Sequence, residues 1–254
     1  MIFLRSIERL GDVEAGSGFP FDLPPVRGFR KLELTSPVTF FVGENGTGKS
    51  TLLEAIGLRA KLPCAAGRPL DHDPALVPIH PLARSLRLVW APQTKYGLFL
   101  RVEDFFHFAR ENREKSEPAA AVTVSVGPEV RAIPEKNRSG ESAEYAGSGP
   151  SPGESFLDFV RTHCTAGGLH LIDEPEAALS PQRQLALMSV LKSLVEDNAQ
   201  FIIATHSPIL LAYPGAQVFS FDDGNIVPVQ YSELPHVNFT REFLRDPERY
   251  LNDL

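Results

Sequence analysis

The stretch Gly43-Glu44-Asn45-Gly46-Thr47-Gly48-Lys49-Ser50 constrains this chain more than any other. It follows the apolar run Val38–Val42 and opens the helix-like STLLEAIGL, so strand, glycine-rich turn and helix are in register. Glycines let backbone amides turn inward around phosphate oxygens, and the helix amino terminus adds partial positive charge. Lys49 is placed to reach β- and γ-phosphates, the Ser50 hydroxyl to ligate Mg²⁺, and Thr51 to follow it in the first turn. This pattern calls for a parallel α/β architecture, with a buried strand feeding the loop.

Other segments agree. Leu169–Ile172, Phe201–Thr205 and Gln217–Phe221 are short, nearly continuous apolar runs, as expected of strands buried on both faces of a parallel sheet. Ser180-Pro181 places a capping hydroxyl before a proline at the first helical position. Leu185, Met188, Leu191, Leu194 and Val195 then recur at helical spacing until Asp197-Asn198. Asp246-Pro247 predicts a capped last helix ending near Leu251. Segments Ile2–Ile7 and Lys31–Leu34 alternate as antiparallel strands at one edge of the sheet.

Composition limits the function classes. The chain has 254 residues and a formal net charge of −7, which offers no general attraction to nucleic acid or anionic membrane. No apolar run is long enough to span a bilayer; Phe201–Ala212 is interrupted by His206 and Pro208. Arg5, Glu8 and Arg9 break the apolar start, which does not read as a secretory signal. Cys64 and Cys164 cannot build a disulfide framework, so a reducing cytoplasm is the expected location. The 22 prolines and 19 glycines concentrate around Gly11–Arg30, Cys64–Pro81 and Glu111–Glu154. In the last, roughly Asn112–Pro150 reads as a flexible insertion rich in Pro, Gly, Ser and Glu, with Ala121–Val126 a possible short strand. One domain over 1–254 is expected, with a helical subdomain at about 104–165. The histidines at 72 and 80 with Asp71 and Asp73 match no metal-site spacing, and His163-Cys164 reads as helix packing.

Three further clusters carry chemistry. Asp173 closes a strand and Glu174 follows it; beside a phosphate loop, the first acid sits near Mg²⁺ and the second can deprotonate attacking water. His206, after the strand Phe201–Thr205, can hydrogen-bond the γ-phosphate and that water, or serve as a structural histidine. Gln93 follows the strand-like run Leu86–Trp90; it reads either as a residue bridging Mg²⁺ and water or as a polar loop residue.

Together these residues resemble the ATP-binding-cassette class of P-loop ATPases, particularly the stand-alone bacterial group often labelled AAA-family ATPases. GENGTGKS resembles Walker A, LHLIDEPEAAL Walker B with its catalytic glutamate, Ala178-Leu179-Ser180 the D-loop, and ATHSP the switch-histidine loop. FFVGENGTGKSTLLEAIG and YGLFLRVEDFF are closer to the stand-alone group than to transporter subunits. Ser151-Pro152-Gly153-Glu154-Ser155 resembles a divergent signature motif; read without the family it is a Pro/Gly turn ending the insertion.

The resemblance implies ATP and Mg²⁺ as ligands. It also implies a head-to-tail, ATP-dependent homodimer in which Ser151, Gly153 and Glu154 cap the nucleotide of the opposite copy, and an ATPase cycle coupled to an unidentified protein partner. It assigns catalysis to Glu174, His206 and Lys49, metal binding to Ser50, Asp173 and Gln93, and nucleotide contacts to Gly43–Thr51. Phe19, Phe21, Arg27 and Phe29 stand open as adenine-stacking residues. A nucleotide-gated binding module, a transporter-energising subunit and a DNA-maintenance ATPase of the SMC or RecF type are the alternatives. The absence of a heptad run and the acidic balance count against the last.

Overall fold

A computed structural model describes residues 1–11, 18–65, 67–115 and 151–252, with only the backbone for 111–115. The Ala121–Val126 strand and residues 116–150 of the expected insertion lie outside the described residues. Asn112 itself falls in the last turn of a helix.

In chain order the elements are β1 (Leu4–Arg9), α1 (Pro24–Gly28), β2 (Lys31–Glu33), β3 (Val38–Val42), α2 (Lys49–Ala60), α3 (His80–Ser85), β4 (Leu86–Trp90) and β5 (Gly97–Arg101). They continue with α4 (Val102–Lys115), α5 (Pro152–His163), β6 (Leu169–Asp173), α6 (Pro181–Glu196), β7 (Gln200–Ala204), β8 (Gln217–Ser220), β9 (Val227–Val229), α7 (Pro235–Arg245) and α8 (Glu248–Leu251). The central sheet has the order β5-β6-β7-β3-β8-β9, parallel except for β9.

Its strands are apolar on both sides because each side meets a different core. Phe41, Phe99, Leu171 and Ile202 face α2, while Phe40, Leu100, Ile172, Phe201 and Ile203 face α5 and α6. Alternation at period two therefore sends neighbouring residues into two separate layers.

Beyond α2 lies a second sheet, β2-β1-β4, antiparallel throughout. The N-terminal strands thus form a separate layer and not an edge of the main sheet; the antiparallel edge is β9. The reason is burial: Leu4, Ile7, Leu32 and Leu86 cover the outer side of α2, which carries Leu52, Leu53 and Ile56. Two glutamines join the layers. Phe3 N and Leu4 N both donate to Gln200 Oε1 at 2.8 Å, and Gln200 Nε2 donates to Leu4 O at 2.9 Å, all buried. Gln217 repeats the pattern on Thr35 N and Glu33 O, each at 2.9 Å.

Helices α4 and α5 pack through rings, with Phe105 5.1 Å from Phe156 and Phe108 5.4 Å from Phe159. His163 stacks on Phe159 at 4.0 Å. Ser180 caps α6 by accepting from Arg183 N. Asp246 does not cap α8; Pro247 holds the cap position, and Asp246 N donates instead to Glu242 O at the end of α7.

His170 on β6 is fully buried beside Phe201, its Nε2 2.9 Å from Thr165 O. Burial pushes its pKa from 6.5 down to about 4. The unfolded chain therefore binds this proton first on acidification, and stability falls as pH drops through 6.5 towards 4. From about pH 7 to about pH 5 this residue alone should cost about 2 kcal/mol. His170→Gln, which keeps a donor for Thr165, should lose correspondingly less over the same range in urea unfolding.

Candidate nucleotide site

The parallel strands deliver the functional residues to one edge, their carboxyl ends. Between β3 and α2 the loop turns on glycines with positive φ: Gly43 at 148°, Gly46 at 81° and Gly48 at 99°. A Cβ at Gly43 would meet Asp222 Oδ1 at 3.0 Å, and one at Gly48 would meet Leu23 Cδ1 at 3.1 Å. Both the conformation and the space require glycine at these two positions. Helix α2 starts at Gly48 without a side-chain cap, leaving the amides of its first turn to an anion.

Lys49 is buried and folds back over the loop, its Nζ donating to Gly43 O at 2.7 Å and Glu44 O at 2.9 Å. Burial lowers its pKa, and Glu174 and Asp173 pull it back up. Thr47 Oγ1 donates to Glu44 O at 2.9 Å. Glu44, Asn45 and Gly46 are exposed at the tip, and Thr51 is partly exposed.

Ser50 Oγ donates to Asp173 Oδ1 at 3.1 Å. Burial pushes the Asp173 carboxyl up to about 7, with the Ser50 hydrogen bond opposing. A hydroxyl and a carboxylate converging at a loop built for phosphates form an oxygen donor set that suits Mg²⁺, and a buried carboxylate without a cation gains from one. Glu174 adopts the left-handed conformation (φ 48°, ψ 51°), its amide donating to Ala204 O at 2.9 Å. Its Oε1 lies 3.7 Å from His206 Nε2. Burial lowers the His206 pKa, with Lys49 acting in the same direction and Glu174 and Asp222 opposing.

Not every expected residue joins this edge. Gln93 is exposed and precedes β5, at the amino end of the strand, whereas Asp173 pairs in register with Arg101 at its carboxyl end. A five-residue strand, roughly 13–16 Å, separates them. Arg101, not Gln93, is the β5 residue beside the Ser50–Asp173 pair, so Gln93 stands too far along the chain to bridge there.

Ser151, Gly153 and Glu154 sit at the start of α5, against α6. Ser151 N and Oγ both donate to Glu154 Oε2 at 2.9 Å, and Arg183 lies 3.0 Å from Glu154 Oε1. Gly153 is buried; a Cβ there would meet Arg183 Cδ at 2.7 Å and Ala178 O at 3.0 Å. These partners belong to α6 and the preceding turn, not to the phosphate loop of the same copy. Among the stacking candidates, Phe29 is in the core and Phe21 packs against it, while Phe19 and Arg27 are exposed.

Residues that sequence reasoning missed complete the edge. Asp222, following β8, accepts from Glu44 N at 2.9 Å and thereby anchors the loop. Glu176 accepts from His206 N at 2.6 Å, and Gln184 joins Ser207 Oγ (2.5 Å) to Leu179 O (3.2 Å). An acid just past a parallel strand was the available signal for Asp222; Glu176 stood two residues beyond Glu174 in the same acidic run.

Residues 23–58 match a family model described as an AAA domain, and residues 156–211 one described as an AAA ATPase domain. The macrolide export ATP-binding/permease protein MacB of Salmonella typhimurium is 26% identical over 199 residues, covering 73% of this chain and 28% of that protein. The chain thus spans under a third of the length of this curated relative. The probable amino-acid import ATP-binding protein YxeO of Bacillus subtilis is 30% identical over 79 residues, 30% of this chain and 32% of it. Among solved structures, cbiO1 of Clostridium perfringens aligns over 100% of both chains with a TM-score of 0.47 and 15% identity. The SMC head domain of Thermotoga maritima aligns over 90% of this chain and 100% of that one, with a TM-score of 0.45 and 13% identity.

The phosphate loop and the two family-model matches make this chain similar to P-loop ATPases, and its curated relatives make it similar to ATP-binding-cassette ATPases in particular. No helix among the described residues is long and apolar enough to cross a membrane.

The Asp222 anchor is testable by paired variants. Asp222→Asn keeps an acceptor for Glu44 N and removes charge, whereas Asp222→Ala removes both. ATP should bind about tenfold more weakly to Asp222→Ala than to Asp222→Asn by titration calorimetry, the scale of one uncharged hydrogen bond.

Proposed function

We propose that the chain is an Mg²⁺-dependent ATPase working as a head-to-tail dimer that holds two ATP molecules and couples their hydrolysis to a protein partner. The observation that carries this reading is the convergence of Lys49, the Ser50–Asp173 pair and the Glu174–His206 pair at one end of the sheet.

When ATP enters, the Gly43–Ser50 amides and Lys49 take its phosphates, and Lys49 exchanges its bonds to Gly43 O and Glu44 O for phosphate oxygens. Ser50 and Asp173 would hold Mg²⁺, which would supply charge neutralisation for the phosphates. Glu174, outside the core and held by its left-handed backbone, accepts the proton of the attacking water. His206 hydrogen-bonds that water and the γ-phosphate, its loop fixed by the bond from His206 N to Glu176. Ser151, Gly153 and Glu154 make their contacts with one another, Arg183 and Ala178 rather than with their own phosphate loop, which supports a role on the nucleotide of a second copy. On binding, Ser151 Oγ would trade its Glu154 partner for that phosphate.

The similarity to an ATP-binding/permease export protein supports one specific alternative, in which the chain energises a membrane transporter. Co-purification with a membrane protein distinguishes it.

Glu174→Gln is the direct test. ATP affinity should stay within about threefold, turnover should fall about a thousandfold or more, and an ATP-bound dimer should accumulate in light scattering. Turnover equal to wild type would overturn the assignment of Glu174.

A further inference from the structure

Arg101 ends β5 with its side chain only 8% exposed, and four carboxylates surround it. Its guanidinium contacts Asp73 at 2.5 Å, Asp104 at 2.7 and 3.1 Å, Glu54 at 3.6 Å and Glu103 at 3.7 Å. These partners come from different parts of the chain. Asp73 caps the 3-10 segment Pro74–Ile79, accepting from Ala75 N through its other oxygen, and Asp104 lies in the first turn of α4. Glu54 lies on α2, one turn beyond Ser50 and on the same face. Arg101 and Asp173 are direct neighbours across β5 and β6, so their side chains project to the same side of the sheet, towards α2. The metal pair Ser50–Asp173 and the ion cluster Glu54–Arg101 are therefore adjacent steps along one seam between α2 and the strand ends. Glu54 is the second carboxylate at that seam, mostly buried, with Arg101 its one ion-pair partner among the described residues.

We propose that Arg101 is a positioning residue of the nucleotide site: it clamps Glu54 away from the metal position and ties that clamp to the base of α4 and the Pro74–Ile79 segment. Glu54 is built from the same oxygen chemistry as Asp173. Left without a cation it would compete with the phosphates for Mg²⁺. The fork of a guanidinium hydrogen-bonds Asp73 and Asp104 while its remaining edge stays at ion-pair distance from Glu54, a division of donors that a compact ammonium does not match. Movement at the base of α4 then alters how firmly Glu54 is held, and through it the setting of the metal pair. The inference rests on the ATPase reading above and adds a residue to it.

The test compares full-length wild type, R101Q, R101K, E54Q and the double variant E54Q/R101Q. Binding of a fluorescent ATP analogue is titrated against Mg²⁺ concentration, and thermal unfolding is recorded for each protein. Wild type should bind the analogue more tightly as Mg²⁺ rises. R101Q should need about tenfold more Mg²⁺ for the same response, the usual scale for a residue supporting a metal ligand, and R101K should fall between the two. E54Q/R101Q should return to within about threefold of wild type, since the competing carboxylate is gone. Should R101Q fail to fold, R101K against E54Q/R101K carries the same comparison. If the double variant is as impaired as R101Q, or R101Q responds to Mg²⁺ like wild type, the inference is overturned and Arg101 supports only the fold. A wild type whose nucleotide binding ignores Mg²⁺ overturns the ATPase reading, and this inference with it.

Discussion

The placement of α2 is the constraint on which the rest of the structure depends. Its first turn must present amides and Ser50 to phosphates while staying within hydrogen-bond reach of Asp173 on a different element. A helix gripped on one side only would be free to rock about its long axis. Here it lies between two sheets, with Leu52, Leu53 and Ile56 in a core shared with Phe41, Leu171 and Ile202 on one side and Leu4 and Ile7 on the other. Burial of that size fixes the helix by tens of contacts rather than by a single bond, and the site inherits its precision from this packing.

Much of this was legible in the sequence because the relevant signals are local. The turn chemistry of Gly43–Ser50 needs left-handed backbone at fixed positions, and the uninterrupted apolar runs need two covered faces; both could be read without knowing any partner. What escaped reading was non-local. The alternation of Ile2–Ile7 reported a strand but not which layer it joins, since an antiparallel edge and a separate sheet demand the same periodicity. Gln93 was chosen by its position after a strand-like run. That run, β4, belongs to the other sheet, so the carboxyl end of β4 leads away from the phosphates and the relevant end belongs to β5.

The acidic residues show the same limit from the other side. Asp173, Glu174, Glu176 and Asp222 all follow parallel strands, yet they differ in what surrounds them. Asp173 meets a hydroxyl, Glu176 a backbone amide of the histidine loop, Asp222 an amide of the phosphate loop, and Glu174 mostly solvent. Their different settings come from neighbours that a list of acids does not contain. Gln184 extends this support, since it couples Ser207 to the carbonyl of Leu179 and so joins the histidine loop to the segment packed beside Gly153.

The pairing of β3 has an implication for how the protein comes into being. All the atoms of the phosphate loop are present once residue 50 has been made, but both strands that flank β3 come from residues 200–220. The Gln200 amide and the Asp222 carboxylate, which hold β1 and the loop, arrive equally late. Such long-range closure is slow compared with helix formation. A growing chain therefore exposes an unpaired apolar strand, Val38–Val42, until residues 200–220 have been made, and the ability to hold nucleotide appears only then. For this fold, nucleotide affinity doubles as a report that the chain has been translated and closed through β8.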